Sequence, residues 1–335
     1  MKPVRVAVDA MGGDRAPAEI VAGALDAASA DIQPVLFGRV EDVQPLAGGL
    51  EVVDCRDVVA MDEKPSDAAR EGRQSSMFVA CRAVSEGSAD AVVSAGNTGA
   101  MLAAGLLELR RLPDVHRPAI AAVLPALAGP SVLLDSGANA EARPEHLLQF
   151  GHMGTVFAEE ILGVSDPKVA LLSIGEEPEK GNRLVREAHR LLAESGLRFK
   201  GNVESRDLLA DAADVVVCDG FTGNMALKLM EGTIRTTFQA LREEIAASLP
   251  GKLGGLMIRP AARGVRRRLD PETYGGAYLL GLRGLVVIAH GNSSKVAITN
   301  AITLAARGVR GQVVERVGER LREHVAAASA DPIRR

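Results

Sequence analysis

A chain of 335 residues with 47% hydrophobic and 24% charged residues carries enough apolar side chains for a large buried core, the size of one or two α/β domains. Its net charge of -4 and 3% aromatic content argue against a nucleic-acid binder, which carries a basic excess and stacking rings. Three separated cysteines, Cys55, Cys81 and Cys218, supply neither a disulfide framework nor a CxxC metal site and fit a reducing cytoplasm.

In chain order, a recurring unit appears: a short apolar run, a loop of Gly, Asp, Asn and Ser, then a helical pattern. Residues 4–9 run into Ala10-Met11-Gly12-Gly13-Asp14, close enough to Met1 that no signal peptide is expected. Residues 91–94 run into Ala95-Gly96-Asn97-Thr98-Gly99, and residues 132–134 into Asp135-Ser136-Gly137-Ala138-Asn139. Residues 169–174 precede Gly175-Glu176-Glu177, residues 215–218 precede Asp219-Gly220-Phe221-Thr222-Gly223-Asn224, and residues 285–289 precede His290-Gly291-Asn292. No apolar run approaches the ~18 residues of a membrane span.

Strands that are apolar throughout are covered on both faces, which predicts an α/β fold with a largely parallel sheet between helices. Parallel order places all six loops on one sheet edge, where open α/β sheets bind ligands, so the loops are expected to meet in one crevice. Singly, each loop is equally an ordinary strand-to-helix turn. Six of them, all rich in glycine and hydrogen-bonding side chains, are harder to explain that way. The GxGxxG, GxxxxGK[ST], HExxH and GxSxG patterns are absent, which removes the standard dinucleotide, P-loop, zincin and serine-hydrolase chemistries. Anion binding by free N–H groups at helix starts remains, with Asn97-Thr98 and Thr222-Gly223-Asn224 placed for it.

Residues 245–269 differ in kind. Lys252, Arg259, Arg263, Arg266, Arg267 and Arg268 stand there without an acidic residue, interleaved with Leu249, Leu253, Leu256 and Met257. Pro250, Gly251, Gly254, Gly255 and Pro260 are expected to interrupt any long helix. The segment reads as a basic amphipathic hairpin over 240–270 that meets an anionic membrane or an acidic protein, or equally as a solvated hairpin packed on a partner subunit.

At these loops the sequence resembles the acyl-acyl carrier protein:phosphate acyltransferase family (PlsX) over nearly its whole length. The shared pieces are Asp9 to Asp14, Ser94 to Ala100, Asp219 to Asn224 and Tyr274-Gly275-Gly276, with Pro65, Arg70, Ser75-Ser76-Met77, Pro144 to Leu147, Gly201 to Glu204 and His290-Gly291. Arg15, Ser136 and Asn292-Ser293 depart from the usual pattern. The resemblance implies one Rossmann-like domain over 1–335, related to isopropylmalate dehydrogenases and phosphotransacetylases, with the hairpin as an extension for dimer or membrane contact. It implies a homodimer, cytoplasmic and peripheral to the membrane, that moves an acyl group from acyl carrier protein to inorganic phosphate in phospholipid synthesis, beside a membrane glycerol-phosphate acyltransferase.

Phosphate is already a nucleophilic dianion near neutrality, so such a site must hold an anion beside the thioester and stabilise the oxyanion with oriented donors. Asn97, Thr98, Thr222 and Asn224 are the candidate donors, with Lys180 and Lys228 supplying charge or forming plain surface salt bridges. Asp9, Asp14, Asp135 and Asp219 would orient them, and Gly12, Gly13, Gly96, Asn139 and Gly223 complete the candidate binding loops. His290 either protonates the leaving thiol or only bonds its own loop. Cys218, in a valine-rich strand, is set aside as a nucleophile. Glu176 and Glu177 lack a third ligand nearby, so neither a metal nor a cofactor is expected. A short-chain phosphotransacetylase using coenzyme A thioesters is the alternative enzyme, and a membrane-surface scaffold the non-enzymatic one.

Overall fold

The computed structural model describes residues 2–127, 129–210 and 213–330; Met1 and residues 331–335 of the expected domain lie outside it. Among the described residues eleven strands form one sheet: β1 Val4–Asp9, β2 Ile32–Gly38, β3 Glu51–Asp54, β4 Ala91–Ser94, β5 Ala119–Leu124, β6 Ser131–Leu134, β7 Val169–Ser173, β8 Phe199–Glu204, β9 Val215–Val217, β10 Ala277–Leu280 and β11 Leu285–Ile288. The helices are α1 Ala18–Ala27, α2 Val40–Val43, α3 Pro65–Glu71, α4 Ser76–Ser85, α5 Thr98–Ala104, α6 Pro144–Phe157, α7 Arg183–Ala193, α8 Gly220–Ala246, α9 Leu249–Leu269, α10 Lys295–Arg310 and α11 Val313–Ala330.

The strand order is β3-β2-β1-β4-β11-β10-β5-β6-β9-β7-β8. Because β1, β4, β5, β6, β9 and β11 are buried along nearly their whole length, each needs helices on both faces. Alternate side chains therefore serve two cores. Val6, Val8, Val132 and Val215 face a core shared with α1, α6, α10 and α11. Ala7, Val92 and Ile120 face α4 and α5, and Leu133 and Val216 face α8. So α5 and α8 lie on the same side of the sheet, over different halves of it.

The sheet is largely parallel, as its composition predicts, but it is not one parallel run. β10 is antiparallel to both β11 and β5, and β5 is antiparallel to β6. β6, β9, β7 and β8 are parallel to one another and run opposite to β1, β4 and β11. The expected meeting of six loops on one edge is thereby corrected. The loops after β1, β4 and β11 open on one edge, and those after β6, β7 and β9 on the other.

A second correction concerns the basic segment. α8 and α9 form an antiparallel pair, and α9 continues through Pro260 as one helix. Pro250 sits in the first turn, where no intrahelical N–H is required. Gly255 leaves room for Ile245 of α8, so glycine here serves packing and does not break the helix. The first arm of the hairpin begins at Gly220, well before residue 240.

Candidate functional site

On the first edge, β1 delivers Asp9 into the interior, where Ser76 Oγ donates to Oδ1 at 2.6 Å and Ser94 Oγ donates to Oδ2 at 2.7 Å. Burial pushes the Asp9 carboxyl above its ordinary pKa, against those hydrogen bonds. Gly12 lies against Asp9 and the Gly96 amide, and Gly13 turns at φ 108° with its backbone against Gly291 and Ala95. The Asp14 amide then donates to the Gly291 carbonyl at 2.7 Å, which ties the β1 loop to the β11 loop. Asp9 and Gly12 thus join loops together, and the exposed side chains left on this edge include Asp14, Thr98 and His290.

Asn97 does not keep a free donor. Its Oδ1 accepts from the Ala100 amide and caps α5, while its Nδ2 donates to the carbonyls of Met61 at 2.8 Å and Glu63 at 3.0 Å. Both amide hydrogens are spent on the 61–63 loop, so the expected role of Asn97 as a phosphate or oxyanion donor is corrected to that of a cap and staple. The backbone amides of Thr98 and Gly99 open the helix beside it.

On the second edge, Asp135 is fully buried and accepts from the amides of Ile120, Gly137, Ala138 and Asn139 and from Asn139 Nδ2. Asn139 Nδ2 also donates to the Pro118 carbonyl, so it holds the loop and offers nothing outward. Asp219 caps α8, accepting from the Thr222 amide at 2.9 Å and the Thr222 hydroxyl at 2.7 Å. The Thr222 proton is therefore committed, a second correction to the donor list. Gly223 packs its backbone directly against the Asp135 carbonyl, and the Gly220 amide donates to the Asn139 carbonyl at 2.8 Å. Cys218 is buried, its thiol pushed well up in pKa by burial and then by Asp135 and Asp219, which makes it inert.

The two edges are linked by α8. Asn224, Lys228 and Glu231, at i, i+4 and i+7, lie on one face of that helix. Asn224 stands against Gly137 of the second-edge loop. Glu231 Oε1 lies 3.2 Å from His290 Nε2 on the first edge, and Lys228 acts electrostatically on the same ring. At 1.5 Å per residue, the stripe from Asn224 to Glu231 spans about 10 Å. The hydrogen bond that the ring donates to Glu231 holds the His290 imidazole above its ordinary pKa, opposed by burial and by Lys228 and helped by Glu272. Beside this stripe Phe221, Met225 and Leu229 form an exposed apolar row.

The structure thus brings Asn224, Lys228 and His290 into one continuous face, and it leaves Lys180 exposed on the β7 loop. Sequence reasoning missed Glu231; its i+7 spacing from Asn224 was the available signal. Among the described residues no group of three His, Cys, Asp or Glu side chains is gathered as a metal site. On α9, Leu249, Leu253, Leu256 and Met257 are exposed, Met257 by 82%. Among the described residues no helix is long and apolar enough to cross a membrane.

A family model described as "Fatty acid synthesis protein" matches residues 4–316. The chain is 48% identical over 327 residues to the phosphate acyltransferase of Heliobacterium modesticaldum, covering 95% of this chain and 98% of that one. It is 46% identical to the phosphate acyltransferase of Thermobifida fusca, covering 98% and 93%. Among solved structures, the EutD phosphotransacetylase of Staphylococcus aureus matches with a TM-score of 0.59 and 17% identity, covering 92% of this chain and 94% of that one. A 4-hydroxythreonine-4-phosphate dehydrogenase of Klebsiella pneumoniae matches with a TM-score of 0.52 and 15% identity, covering 92% and 98%. At such identities these two matches speak to the fold, a Rossmann-like one.

Proposed function

The chain belongs to the fatty acid synthesis protein family and is an acyltransferase, and from that premise we propose that it converts acyl-[acyl carrier protein] and inorganic phosphate to acyl phosphate and free carrier protein. The product would enter phosphatidic acid synthesis. A hydrogen phosphate oxygen attacks the thioester carbonyl, the C–S bond breaks, and the proton that phosphate gives up equals the one the carrier thiol gains. His290 suits the relay, passing a ring proton to the departing sulfur and regaining one from phosphate. Lys228 supplies positive charge, and the Asn224 amide offers a donor of the kind an oxyanion needs. The exposed row Phe221, Met225 and Leu229 offers the acyl chain an apolar wall.

The observation that carries this reading is the polar stripe of α8, which ends on His290 and sets an amide, an ammonium and an imidazole along one open face. The test is phosphate-dependent loss of carrier thioester, with acyl phosphate trapped by hydroxylamine. Palmitoyl carrier protein should turn over and acetyl coenzyme A should not. The reverse preference would favour the short-chain phosphotransacetylase that the fold likeness admits.

Partners follow from the hairpin. In α9 the exposed Leu249, Leu253, Leu256 and Met257 fall within about 100° of arc, with Lys252, Arg259, Arg263 and Arg266 along one flank, Arg268 on the other and Arg267 on the apolar arc itself, about three turns past Met257 towards the end of the helix. Such an edge suits the anionic inner face of the cell membrane or the acidic carrier protein, close to a membrane glycerol-phosphate acyltransferase, in a homodimer. Binding to liposomes should need anionic lipid and weaken with salt; salt-insensitive binding would instead point to apolar insertion alone.

A further inference from the structure

Resting on the acyl-phosphate reading, we propose that Glu231 is a positioning residue for the transfer reaction, tying the His290 ring to α8 and setting the charge it presents to substrate. The backbone of His290 is already fixed from three sides. The Ala289 amide donates to the Ser94 carbonyl at 2.9 Å, the Ser293 amide to the His290 carbonyl at 3.0 Å, and the Asp14 amide to the Gly291 carbonyl at 2.7 Å. Its side chain is not fixed by that loop. Among the described residues the ring's hydrogen-bond partner is Glu231, which arrives from the other half of the sheet on α8.

The charges that face the ring come from several elements. α8 brings Glu231 and Lys228, and the turn at Pro271–Tyr274 brings Glu272. Asp14 of the β1 loop lies beside the neighbouring Gly291. Glu272 has other duties, since its Oε2 accepts from Ser294 Oγ and its carbonyl accepts from Asn300 Nδ2. Glu231 therefore dominates, and its hydrogen bond keeps the imidazole protonated to a higher pH than usual, while Lys228 acts in the opposite sense. With Nε2 turned to Glu231, the ring's remaining polar atom is Nδ1. In the cation that atom carries a hydrogen, which can bond to a phosphate oxygen and pass to a departing sulfur. A plain surface ion pair would contribute little to stability and nothing to proton transfer. The difference between the two is measurable.

The experiment titrates His290 by ring nitrogen NMR in the full chain, assigned with His290→Gln, alongside turnover with acyl carrier protein and phosphate from pH 6 to 9. In Glu231→Gln the His290 midpoint should fall and the alkaline limb of the rate profile should move down with it, with turnover at the alkaline end reduced by up to about 10²-fold. Lys228→Gln should move the midpoint the other way, and Glu231→Asp should restore part of the profile. An unmoved His290 midpoint in Glu231→Gln overturns the proposal, as does a midpoint that moves while the rate profile stays. Either failure, in a wild type that makes acyl phosphate, defeats the Glu231 role alone. A wild type that makes none defeats the transfer reading, and this role with it.

Discussion

Replacing His152 by leucine should flatten the acid side of the stability profile. His152 lies on α6, only 5% exposed, and among the described residues neither ring nitrogen has a hydrogen-bond partner. Its ring lies 4.4 Å from that of His324 on α11. Burial first, and then the His324 and Arg320 charges, pull its pKa from 6.5 down to about 3; Arg320 is itself paired with Glu159 at 3.0 Å. The sign follows from linkage. Below its ordinary pKa the unfolded histidine binds a proton that the folded one refuses until about pH 3, so stability falls as pH falls through that window. Between pH 7 and pH 5 the loss from this one group is about 2 kcal/mol, from ~1.4 kcal/mol per pH unit once the two states differ by a full proton. Urea unfolding of wild type and His152→Leu at pH 7, 6 and 5 measures it. The variant should be no less stable than wild type at pH 7, because the two unpartnered nitrogens carry a desolvation cost of about 1–3 kcal/mol, and it should lose about 2 kcal/mol less on acidification. Parallel stability lines for the two proteins would refute the reasoning.

Asn97→Ala removes the α5 cap and the staple to Met61 and Glu63, so urea unfolding should register a loss of about 1–2 kcal/mol; an undiminished midpoint alongside lost turnover would restore Asn97 to a direct catalytic role. Gly223→Ala drives a methyl into the Asp135 carbonyl and should cost about 1–3 kcal/mol, with turnover lost through a displaced α8. A variant of wild-type stability would show that the α8 start is looser than this packing implies. Cys218, buried and with its pKa raised, should resist iodoacetamide in the native protein at pH 8, and Cys218→Ala should retain turnover. Rapid alkylation with inactivation would reopen an acyl-enzyme route.

Much of this fold was written locally. The runs at 4–9, 91–94, 132–134, 169–173, 215–217 and 285–288 are strands because they are apolar on both faces, and each ends in the polar loop its composition announces. The reversal of direction was also written, in a feature easily passed over. Only residues 125–130 separate β5 from β6, and only residues 281–284 separate β10 from β11. A parallel connection needs a crossover of a dozen residues or more, so both links force antiparallel neighbours. Counting residues between apolar runs would have split the six loops between two edges.

What sequence could not deliver is the direction in which a polar side chain spends its hydrogen bonds. An asparagine ahead of a helix is an equally good cap and phosphate donor by type. Which it becomes depends on whether buried backbone groups nearby lack partners, and at Asn97 the Ala100 amide and the carbonyls of Met61 and Glu63 claim it. The same competition consumes Thr222, Asp219 and Asn139 at the start of α8. The polar groups that the backbone does not claim lie on the open face of a helix that reaches from one edge of the sheet to the other. Asn224 and Lys228 hold that position, and His290 meets it from the far side. Their alignment depends on where α8 begins, which is set by the contact of Gly223 with the Asp135 carbonyl and by the Gly220 amide on Asn139. A displacement at that start would be carried rigidly along the helix and would part Glu231 from His290 before it disturbed any loop on the first edge.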